Sequence, residues 1–448
     1  MKAKKLGFIS LGCSKNLVDT EMMVGILQNA GYELTNDLSE AHVIIVNTCT
    51  FIDPAKQESI ETVLEIANYK KTGKCERLVA AGCLTQQYKE ALAKEIPEID
   101  IFIGTDSWRN ILKAVQKSYE KENEKIYEFN CTPCASEELI PRKLTTPSYM
   151  SYIKISEGCN KGCTFCYIPF VRGPMRSRTI SSILSEVRNL AKQGVSEFNL
   201  IAQDLSCYGQ DLRDGTSLIL LLKQLVKIPE VKWIRLFYLY PTNFTDELLD
   251  LISKERKICK YIDIPLQHIS DNVLKRMNRK DTSESILKLL NKIRNNIPYI
   301  TIRTTLMVGF PGETESDFED LCEFIRKIKF DNMGAFKFSP QEGTAAALMQ
   351  NQISEDVKEK RYDKLMSIQA GISEENNELL IGKEAEVLIE DIIKDGEKLI
   401  AKGRTSFQAP DVDGNTYIYN FGDACPGDFI KTKIIDGYSY DLIAERID

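Results

Sequence analysis

Histidine is scarce in this chain of 448 residues, which has only His42 and His268. Two histidines are too few for a histidine-rich zinc or non-haem iron site, so metal enzymes of that class are close to excluded. The chain also lacks an excess of positive charge, because its net charge is −7. Without a basic field over the whole molecule, general binding to nucleic acid is not expected.

Long apolar stretches are missing as well. No segment approaches the roughly 18–20 consecutive apolar residues of a membrane span. The first residues, MKAKKLGFIS, contain no extended apolar region and no cleavage site, so we expect no signal peptide and a cytoplasmic location. In a reducing cytosol, the 13 cysteines are expected to be metal ligands, catalytic groups or buried residues rather than disulfides.

Residues 1–118 alternate short apolar segments with helical patterns. The segments KLGFISLGC, HVIIVNTC, RLVAAGC and IDIFIGT are strand-like, and the helices expected between them include residues 15–31 and 53–70. This alternation predicts a parallel α/β sheet with helices on both faces. Residues 119–147 are charged and contain three prolines, and we predict a linker or hairpin there.

The alternation resumes in the middle of the chain, where six strand-like segments are separated by helical patterns. They cover residues 151–156, 197–203, 232–239, 261–266, 301–309 and 333–339. Six such units predict a partial version of the eight-unit β/α barrel, in which chemistry lies at the C-terminal ends of the strands. One long charged helix, predicted at 353–379, leads out of this barrel.

The last part of the chain, residues 382–448, has alternating apolar and polar positions with turns at KDGE, DVDG, CPGD and DGYS. This pattern predicts five short strands in a small antiparallel β-barrel. The fold class is therefore α/β, with predicted domains at 1–140, 145–378 and 380–448. Residues 382–448 hold eight Lys and Arg against fourteen Asp and Glu, a balance of −6.

Three cysteines, Cys159, Cys163 and Cys166, lie within eight positions of the segment ISEGCNKGCTFCYIP. The C-x3-C-x2-C spacing is not that of a zinc ribbon, and no fourth ligand is near. Thiolates hold iron–sulfur clusters, and three of them would leave one iron of a four-iron cluster open to a small molecule. Gly158 and Gly162 suit a loop that wraps tightly round such a cluster. Chance placement of the cysteines would not explain the spacing, the glycines and the location together.

A second set of three cysteines lies at predicted strand ends in the first domain. Cys13 ends the first strand, Cys49 the second and Cys83 the third. Consecutive strands of a parallel sheet end on the same edge, so the three thiols can converge on one site. Chance placement of buried cysteines is the alternative.

These features resemble two nested families. The C-x3-C-x2-C spacing with Phe165 before the last cysteine is similar to the signature of the radical S-adenosylmethionine enzymes. Together with GCSKNLVDTE, NTC, AAGC, RGPMRSR and VGFPGETE, the whole chain resembles the methylthiotransferase family of that superfamily. The resemblance implies an N-terminal cluster domain, a radical S-adenosylmethionine barrel and a C-terminal TRAM domain.

The same resemblance implies the cofactors. One 4Fe–4S cluster would be held by the barrel cysteines, and an auxiliary one by the N-terminal cysteines. S-adenosylmethionine would serve as methyl donor and as the source of a 5′-deoxyadenosyl radical, and a methylthio group would replace a hydrogen on the substrate. A reductant and a sulfur donor are then required partners. No catalytic residue beyond the cluster ligands is predicted.

Further site residues are predicted at strand ends. Phe165 and the pair Gln203 and Asp204 resemble family positions near the cofactor, although the pair could merely cap a helix. Gly309 and Gly312 would let the backbone approach S-adenosylmethionine, or they could simply form a tight turn.

Four residues are predicted to bind substrate. Arg172, Arg176 and Arg178 follow the cysteine loop, and arginine forks suit carboxylates and phosphates. A solvated basic loop is the alternative for them, and a structural role is the alternative for His268. Cys131 and Cys134 form a pair in the linker with no second pair beside it, which favours no metal role.

The choice of substrate is narrowed first by the resemblance and then by the charge of the last domain. The family divides mainly between a tRNA adenosine and an aspartate of ribosomal protein uS12, and the segments AQDLSCYGQDL, DIPLQHISD and GYSYDLIAE resemble the ribosomal-protein branch. That branch implies methylthiolation at the β-carbon of one aspartate.

An acidic last domain suits a basic protein partner better than RNA. The turn residues Asp411, Asp413, Asp423 and Asp428 are expected to be exposed there and to steer the partner. Methylthiolation of tRNA and a non-catalytic electron carrier remain the alternatives, and we expect no membrane partner.

Overall fold

The computed structural model describes residues 3–121, 123–129, 140–396 and 398–447. The first part is a six-stranded sheet in the order β2-β1-β3-β4-β5-β6, in which all neighbours are parallel. The strands are β1 Lys5–Ser10, β2 Glu33–Leu34, β3 Val43–Thr48, β4 Arg77–Gly82, β5 Ile101–Ile103 and β6 Ile126–Glu128. The helices are α1 Ser14–Asn29, α2 Asp53–Ala67, α3 Tyr69–Thr72, α4 Cys83–Glu95 and α5 Ile111–Glu120. The predicted parallel α/β sheet is confirmed.

Strand β6 lies where the sequence predicted a linker or hairpin, and that prediction is wrong for residues 126–128. The strand has only three residues at the sheet edge, and Ile126 alone is buried. A segment that short gives no alternating pattern against charged neighbours. The linker cysteines Cys131 and Cys134 lie outside the described residues.

The central part is an open six-stranded parallel sheet in the order β14-β13-β12-β11-β10-β7. Its strands are β7 Met150–Lys154, β10 Glu197–Ile201, β11 Trp233–Leu236, β12 Ile258–Gln267, β13 Thr301–Val308 and β14 Asn332–Lys337, and an antiparallel pair is formed by β8 Ser156–Glu157 and β9 Arg176–Ser177. The helices are α6 Ile168–Arg172, α7 Ile180–Lys192, α8 Leu218–Leu225, α9 Asp246–Lys254, α10 Asp271–Arg276, α11 Ser283–Asn296, α12 Glu315–Ile328 and α13 Glu355–Glu378. The partial barrel is confirmed.

The last five strands form a closed barrel in the order β15-β16-β17-β19-β18. They are β15 Glu384–Asp395, β16 Lys398–Thr405, β17 Thr416–Tyr419, β18 Phe429–Gly437 and β19 Leu442–Arg446. The predicted small barrel is confirmed, but the pairing of β17 with β19 is parallel rather than antiparallel. The boundaries of the three domains stay a prediction.

The N-terminal domain covers the open side of the central sheet between its two edge strands. Helix α1 contacts β7 at one edge. Near the other edge, Phe51 packs edge-on against Phe336 of β14, with ring centres 6.1 Å apart, and Asp53 accepts a hydrogen bond of 2.9 Å from Ser339. The cysteine edge of the first sheet is thereby held against the central barrel.

The small barrel packs on the opposite end, where the central strands begin. Arg404 donates to Glu197, the first residue of β10, at 2.7 Å, and Phe429 packs against Trp233, the first residue of β11. Asp413 accepts a hydrogen bond from Tyr261 at 2.7 Å, and its side chain is only 1% exposed. The expectation that Asp413 is a surface turn residue is therefore wrong, because its carboxylate is used in docking the two domains.

Candidate functional site

The structure brings the three N-terminal cysteines to one edge of the first sheet. Cys13 follows β1 and directly precedes α1, Cys49 follows β3, and Cys83 begins α4 after β4. Because β1, β3 and β4 are adjacent and parallel, their C-terminal ends meet. Gly12 has φ +84°, and a side chain there would come within 2.8 Å of Cys49 Sγ. Glycine is required at this close approach.

The three thiols affect one another electrostatically. Burial raises the pKa of the Cys83 thiol to about 12, the Arg172 guanidinium opposes that rise, and Cys13 and Cys49 add to it. Burial likewise raises the pKa of Cys49. Without a bound metal the thiols of Cys49 and Cys83 stay protonated at neutral pH, and metal binding would release their protons.

The barrel cysteines lie in a loop fixed by backbone contacts. The Cys159 amide donates to the Gly173 carbonyl at 3.2 Å, and the Cys166 amide to the Cys163 carbonyl at 3.1 Å. Asn278 donates to the Gly162 carbonyl at 2.8 Å. Burial raises the pKa of Cys166 to about 12, with Cys163 and Cys159 adding to the rise.

The donor sets consist of thiols, the ligands that hold iron–sulfur clusters. Within the described part of the chain, no group of three or more His, Cys, Asp or Glu side chains is arranged to hold one metal ion. A 4Fe–4S cluster is bound by thiolates on different irons, so its cysteines need not converge on one point. Two sets of three cysteines, without carboxylate or histidine partners, match that chemistry.

A buried network of charges connects Cys83 to Glu157, which lies two residues before Cys159. Arg172 is almost fully buried, and it donates to Cys83 Sγ at 3.5 Å, to Asp19 at 2.9 Å and to Glu157 at 3.0 Å. Lys154 pairs with Asp19 and with Glu157. Burial alone would raise the pKa of Glu157, but the charges of Arg172 and Lys154 hold it well below its usual range.

The arginines predicted to bind substrate are engaged inside the chain. Besides Arg172, Arg176 donates to Asp106 at 2.7 Å, and Arg178 donates to Glu186 at 2.6 Å and to Ser182 at 2.8 Å. Their role as substrate ligands stays a prediction.

Gln203 and Asp204 follow β10, and they contact residues of their own turn as well as residues at and before the cysteine loop. Gln203 donates to Glu157 at 2.7 Å. Asp204 caps a short 3-10 helix, Leu205–Cys207, by accepting from the Ser206 amide at 3.0 Å. Lys161 of the cysteine loop pairs with Asp204 at 3.2 Å. Asp204 therefore caps a helix, as the alternative interpretation predicted, and it also contacts the cysteine loop.

The turn after β13 contains both predicted glycines. Gly309 has φ +73° and Gly312 has φ +77°, and a side chain at Gly312 would come within 2.0 Å of Arg276. Glu313 accepts the amides of Gly309 and Phe310. The Nε2 atom of the fully buried His268 lies 3.8 Å from Glu313, and the role of this histidine as a substrate ligand stays a prediction.

Phe165 packs edge-on against Phe310, with ring centres 6.4 Å apart. The ring therefore links the cysteine loop to the turn after β13. A role at the cofactor remains a prediction for both elements.

Sequence reasoning missed the polar residues of α1. Lys15, Asn16 and Asp19 are all buried, and Asn16 accepts a hydrogen bond from Arg172. The available signal was a helix that begins directly after Cys13 with polar residues on the face turned toward the protein.

No helix in the described parts of the chain is long and apolar enough to cross a membrane.

Three stretches of the chain match known protein families. Residues 5–104 match the family described as uncharacterized protein family UPF0004. Residues 153–325 match the radical SAM superfamily, and residues 381–447 match the TRAM domain.

Among solved structures, the fold resembles two radical S-adenosylmethionine enzymes. TsrM, a methyltransferase from Kitasatospora setae solved with cobalamin and a 4Fe–4S cluster, has a TM-score of 0.56 at 13% identity, covering 75% of this chain and 72% of TsrM. OxsB, a cobalamin-dependent enzyme, has a TM-score of 0.54 at 15% identity, covering 83% of this chain and 56% of OxsB. At these identities the likeness shows the fold alone.

Curated relatives match along their whole length. A protein of Citrifermentans bemidjiense is 47% identical over 445 residues, covering 99% of each chain. One of Clostridioides difficile is 48% identical over 441 residues, covering 98% of each. Both are named ribosomal protein uS12 methylthiotransferase RimO. By this full-length similarity, the chain belongs to the RimO family of radical S-adenosylmethionine methylthiotransferases.

Proposed function

We propose that this chain methylthiolates the β-carbon of an aspartate in ribosomal protein uS12. The substrate protein is carried over from the names of its full-length relatives. Cys159, Cys163 and Cys166 would hold one 4Fe–4S cluster, and Cys13, Cys49 and Cys83 a second. When bound, the clusters and S-adenosylmethionine supply the radical, the sulfur and the methyl group that replace hydrogen on carbon.

One observation carries the proposal: buried contacts lead from Cys83 of the N-terminal set to Glu157, which lies just before the barrel cysteine loop. Cys83 Sγ accepts from Arg172, which also donates to Glu157, and Glu157 is two residues before Cys159. A reaction that removes a hydrogen and attaches sulfur to the same carbon needs both sites close to one substrate. An electron carrier would instead ligate its clusters fully.

The remaining predicted residues have roles in this proposal. Phe165, Gly309 and Gly312 would form one wall of the S-adenosylmethionine site, beside the cysteine loop. Gln203 and Asp204 would contact the polar end of S-adenosylmethionine. Both glycines have positive φ, and the space that a side chain would fill at each is taken by Lys358 and Arg276, which would flank this wall.

The proposed partner is a basic protein of the small subunit, free or assembled. The acidic balance of residues 382–448 supports charge attraction to such a partner, and Asp423 has a fully exposed side chain, although it also pairs with Arg446 at 3.5 Å. A reductant and a sulfur donor are further partners, and the reaction would take place in the cytoplasm with the ribosomal proteins.

The test is a reaction with defined substrates. Anaerobically reconstituted enzyme, S-adenosylmethionine, sulfide and dithionite would be incubated separately with uS12, with small subunits and with bare tRNA. Intact mass and fragmentation should find one methylthio group in place of one hydrogen on a uS12 aspartate.

Product on tRNA alone would replace the proposal with the RNA-modifying alternative. An enzyme that takes up iron but never cleaves S-adenosylmethionine would favour the electron carrier.

A further inference from the structure

Lys15 is a mostly buried lysine whose charge acts on Asp263 without forming an ion pair with it. Its residue is 7% exposed, and within the described ranges its ammonium has no ion-pair or hydrogen-bond partner. Its contact is with an aromatic face, since Nζ lies 3.3 Å from the centre of the Tyr238 ring. Although the side chain is mostly buried, its Nζ atom is not one of the fully buried polar atoms that lack a hydrogen-bond partner, so the ammonium keeps some exposure to solvent. The cation–π contact leaves its positive charge in place.

The acidic groups around it are already used by other cations. Lys154 and Arg172 pair with Asp19, and Lys161 pairs with Asp204. Asp263 accepts the Tyr238 amide at 3.1 Å and pairs with Arg303 at 3.5 Å. In the described ranges no carboxylate forms an ion pair with the Lys15 ammonium, so its charge is offset only at longer range, by Asp263.

The charge of Lys15 lies between the two domains that carry the cysteine sets. Lys15 lies two residues after Cys13, in the first turn of α1. Tyr238 lies two residues after the end of β11, on the side of the barrel where its strands end, and has φ +60°. The ammonium thus lies between the cysteine edge of the first domain and the strand ends of the barrel.

We infer that Lys15 Nζ binds the side-chain carboxylate of the substrate aspartate. The inference rests on the proposed function and adds the group that recognises the target. The β-carbon of aspartate is bonded to its carboxyl carbon, so an ion pair at the carboxylate fixes the carbon that is to be modified. Asparagine has nearly the same shape but cannot neutralise the ammonium.

The test compares uS12 with the same protein carrying asparagine in place of the modified aspartate. Their affinities for reconstituted enzyme would be measured by equilibrium binding without reductant, so that no turnover occurs. Wild-type enzyme should prefer the aspartate form by about tenfold to a hundredfold, the range of a hydrogen-bonded charge pair. Lys15→Met should lose that preference, and Lys15→Arg should keep part of it.

Lys4→Met is the matched control. Lys4 Nζ also lies over a tyrosine ring, 3.5 Å from the centre of Tyr119, but it pairs with Glu76 at the opposite end of β1. This variant should retain the wild-type preference. Iron content and affinity for S-adenosylmethionine, measured on every variant, distinguish the substrate carboxylate from the carboxylate of the cofactor.

Three results would overturn the inference. They are equal binding of both uS12 forms by wild-type enzyme, an undiminished preference in Lys15→Met, and a loss of cofactor affinity in Lys15→Met with uS12 discrimination intact. If Lys15→Met fails to take up iron, Lys15→Gln takes its place, and equal binding of both uS12 forms by wild-type enzyme still overturns the inference. Absence of methylthiolated uS12 from wild-type reactions would instead contradict the proposed function.

Discussion

Arg172 is the residue on which most of the buried contacts between the two cysteine sites depend. Its guanidinium bonds Asp19, Glu157, Asn16 and the thiol of Cys83. The planar fork of arginine can serve several acceptors at once, which a lysine cannot reproduce. The sequence motif suggested a ligand for substrate, and that role stays a prediction; the contacts show a guanidinium engaged inside the chain.

Replacing Arg172 with Met should destabilise the protein by about 3–5 kcal/mol, because Asp19 and Glu157 would lose a buried partner. Chemical unfolding of the metal-free protein would measure this. If the auxiliary cluster binds as proposed, its midpoint potential should also fall, since a positive hydrogen-bond donor near one thiolate is lost.

Arg176→Met is the control for that change. Arg176 is 30% exposed at its side chain and has one carboxylate partner, Asp106. Its loss should cost no more than about 1 kcal/mol. Equal losses in the two variants would contradict a special role for Arg172.

At the scale of elements, each cysteine set depends on a different kind of structure. The barrel set lies on one loop, so its spacing is visible in sequence. The N-terminal set comes from three separate strand ends, and only the order β1-β3-β4 makes them neighbours. The two sets can therefore be removed independently.

Changing Cys159, Cys163 and Cys166 to Ala should halve the iron of reconstituted protein and abolish formation of 5′-deoxyadenosine. Changing Cys13, Cys49 and Cys83 to Ala should also halve the iron but leave cofactor cleavage, while methylthiolated product disappears. Iron assays and chromatography of the nucleoside products measure both. Product formed by the second triple variant would show that the N-terminal cysteines are spectators.

The turn that precedes β17 is a docking element. Asp413 is bonded to Tyr261, to the Ala409 amide at 2.8 Å and to Arg303 at 3.3 Å. Asp413→Lys should therefore destabilise the protein by at least about 3 kcal/mol, because it buries an unpaired charge beside Arg303. Asp423→Lys, at a fully exposed side chain, should change stability by no more than about 0.5 kcal/mol. Urea unfolding of both variants tests the contrast.

At the scale of the whole molecule, buried ion pairs join the small barrel to the central one. Glu197 lies between Arg404 and Arg235, with distances of 2.7 Å and 3.3 Å. Burial would raise the pKa of Glu197, but the two arginines lower it below its usual value. A lowered pKa stabilises the folded state above the unfolded pKa of about 4.3 and loses that effect as the pH falls through the folded value.

Glu197→Gln should therefore cost about 3–5 kcal/mol at pH 7, because the arginines lose their charged partner. The difference from wild type should shrink progressively as the pH falls below about 4. Urea unfolding of both proteins at a series of pH values measures it. A difference that stays constant into the acid range would contradict the ion-pair assignment.

The fold could largely be predicted because its pattern is local. Alternating apolar strands and amphipathic helices predicted the two parallel sheets, and the period-two pattern predicted the last barrel. Strand β6 was not predicted, because its one buried residue, Ile126, gives too weak a pattern in the sequence.

By itself, the sequence determined the six cysteines and the types of element that carry them, since spacing and periodicity are properties of neighbours along the chain. Only the tertiary structure decided which distant groups meet. Asp413 became a buried docking residue, Arg172 turned inward to Cys83, and Lys15 was left unpaired, although nothing near them in sequence distinguishes these charges from solvated ones. The reason is physical: burial and pairing of a charge depend on groups that folding brings from other domains.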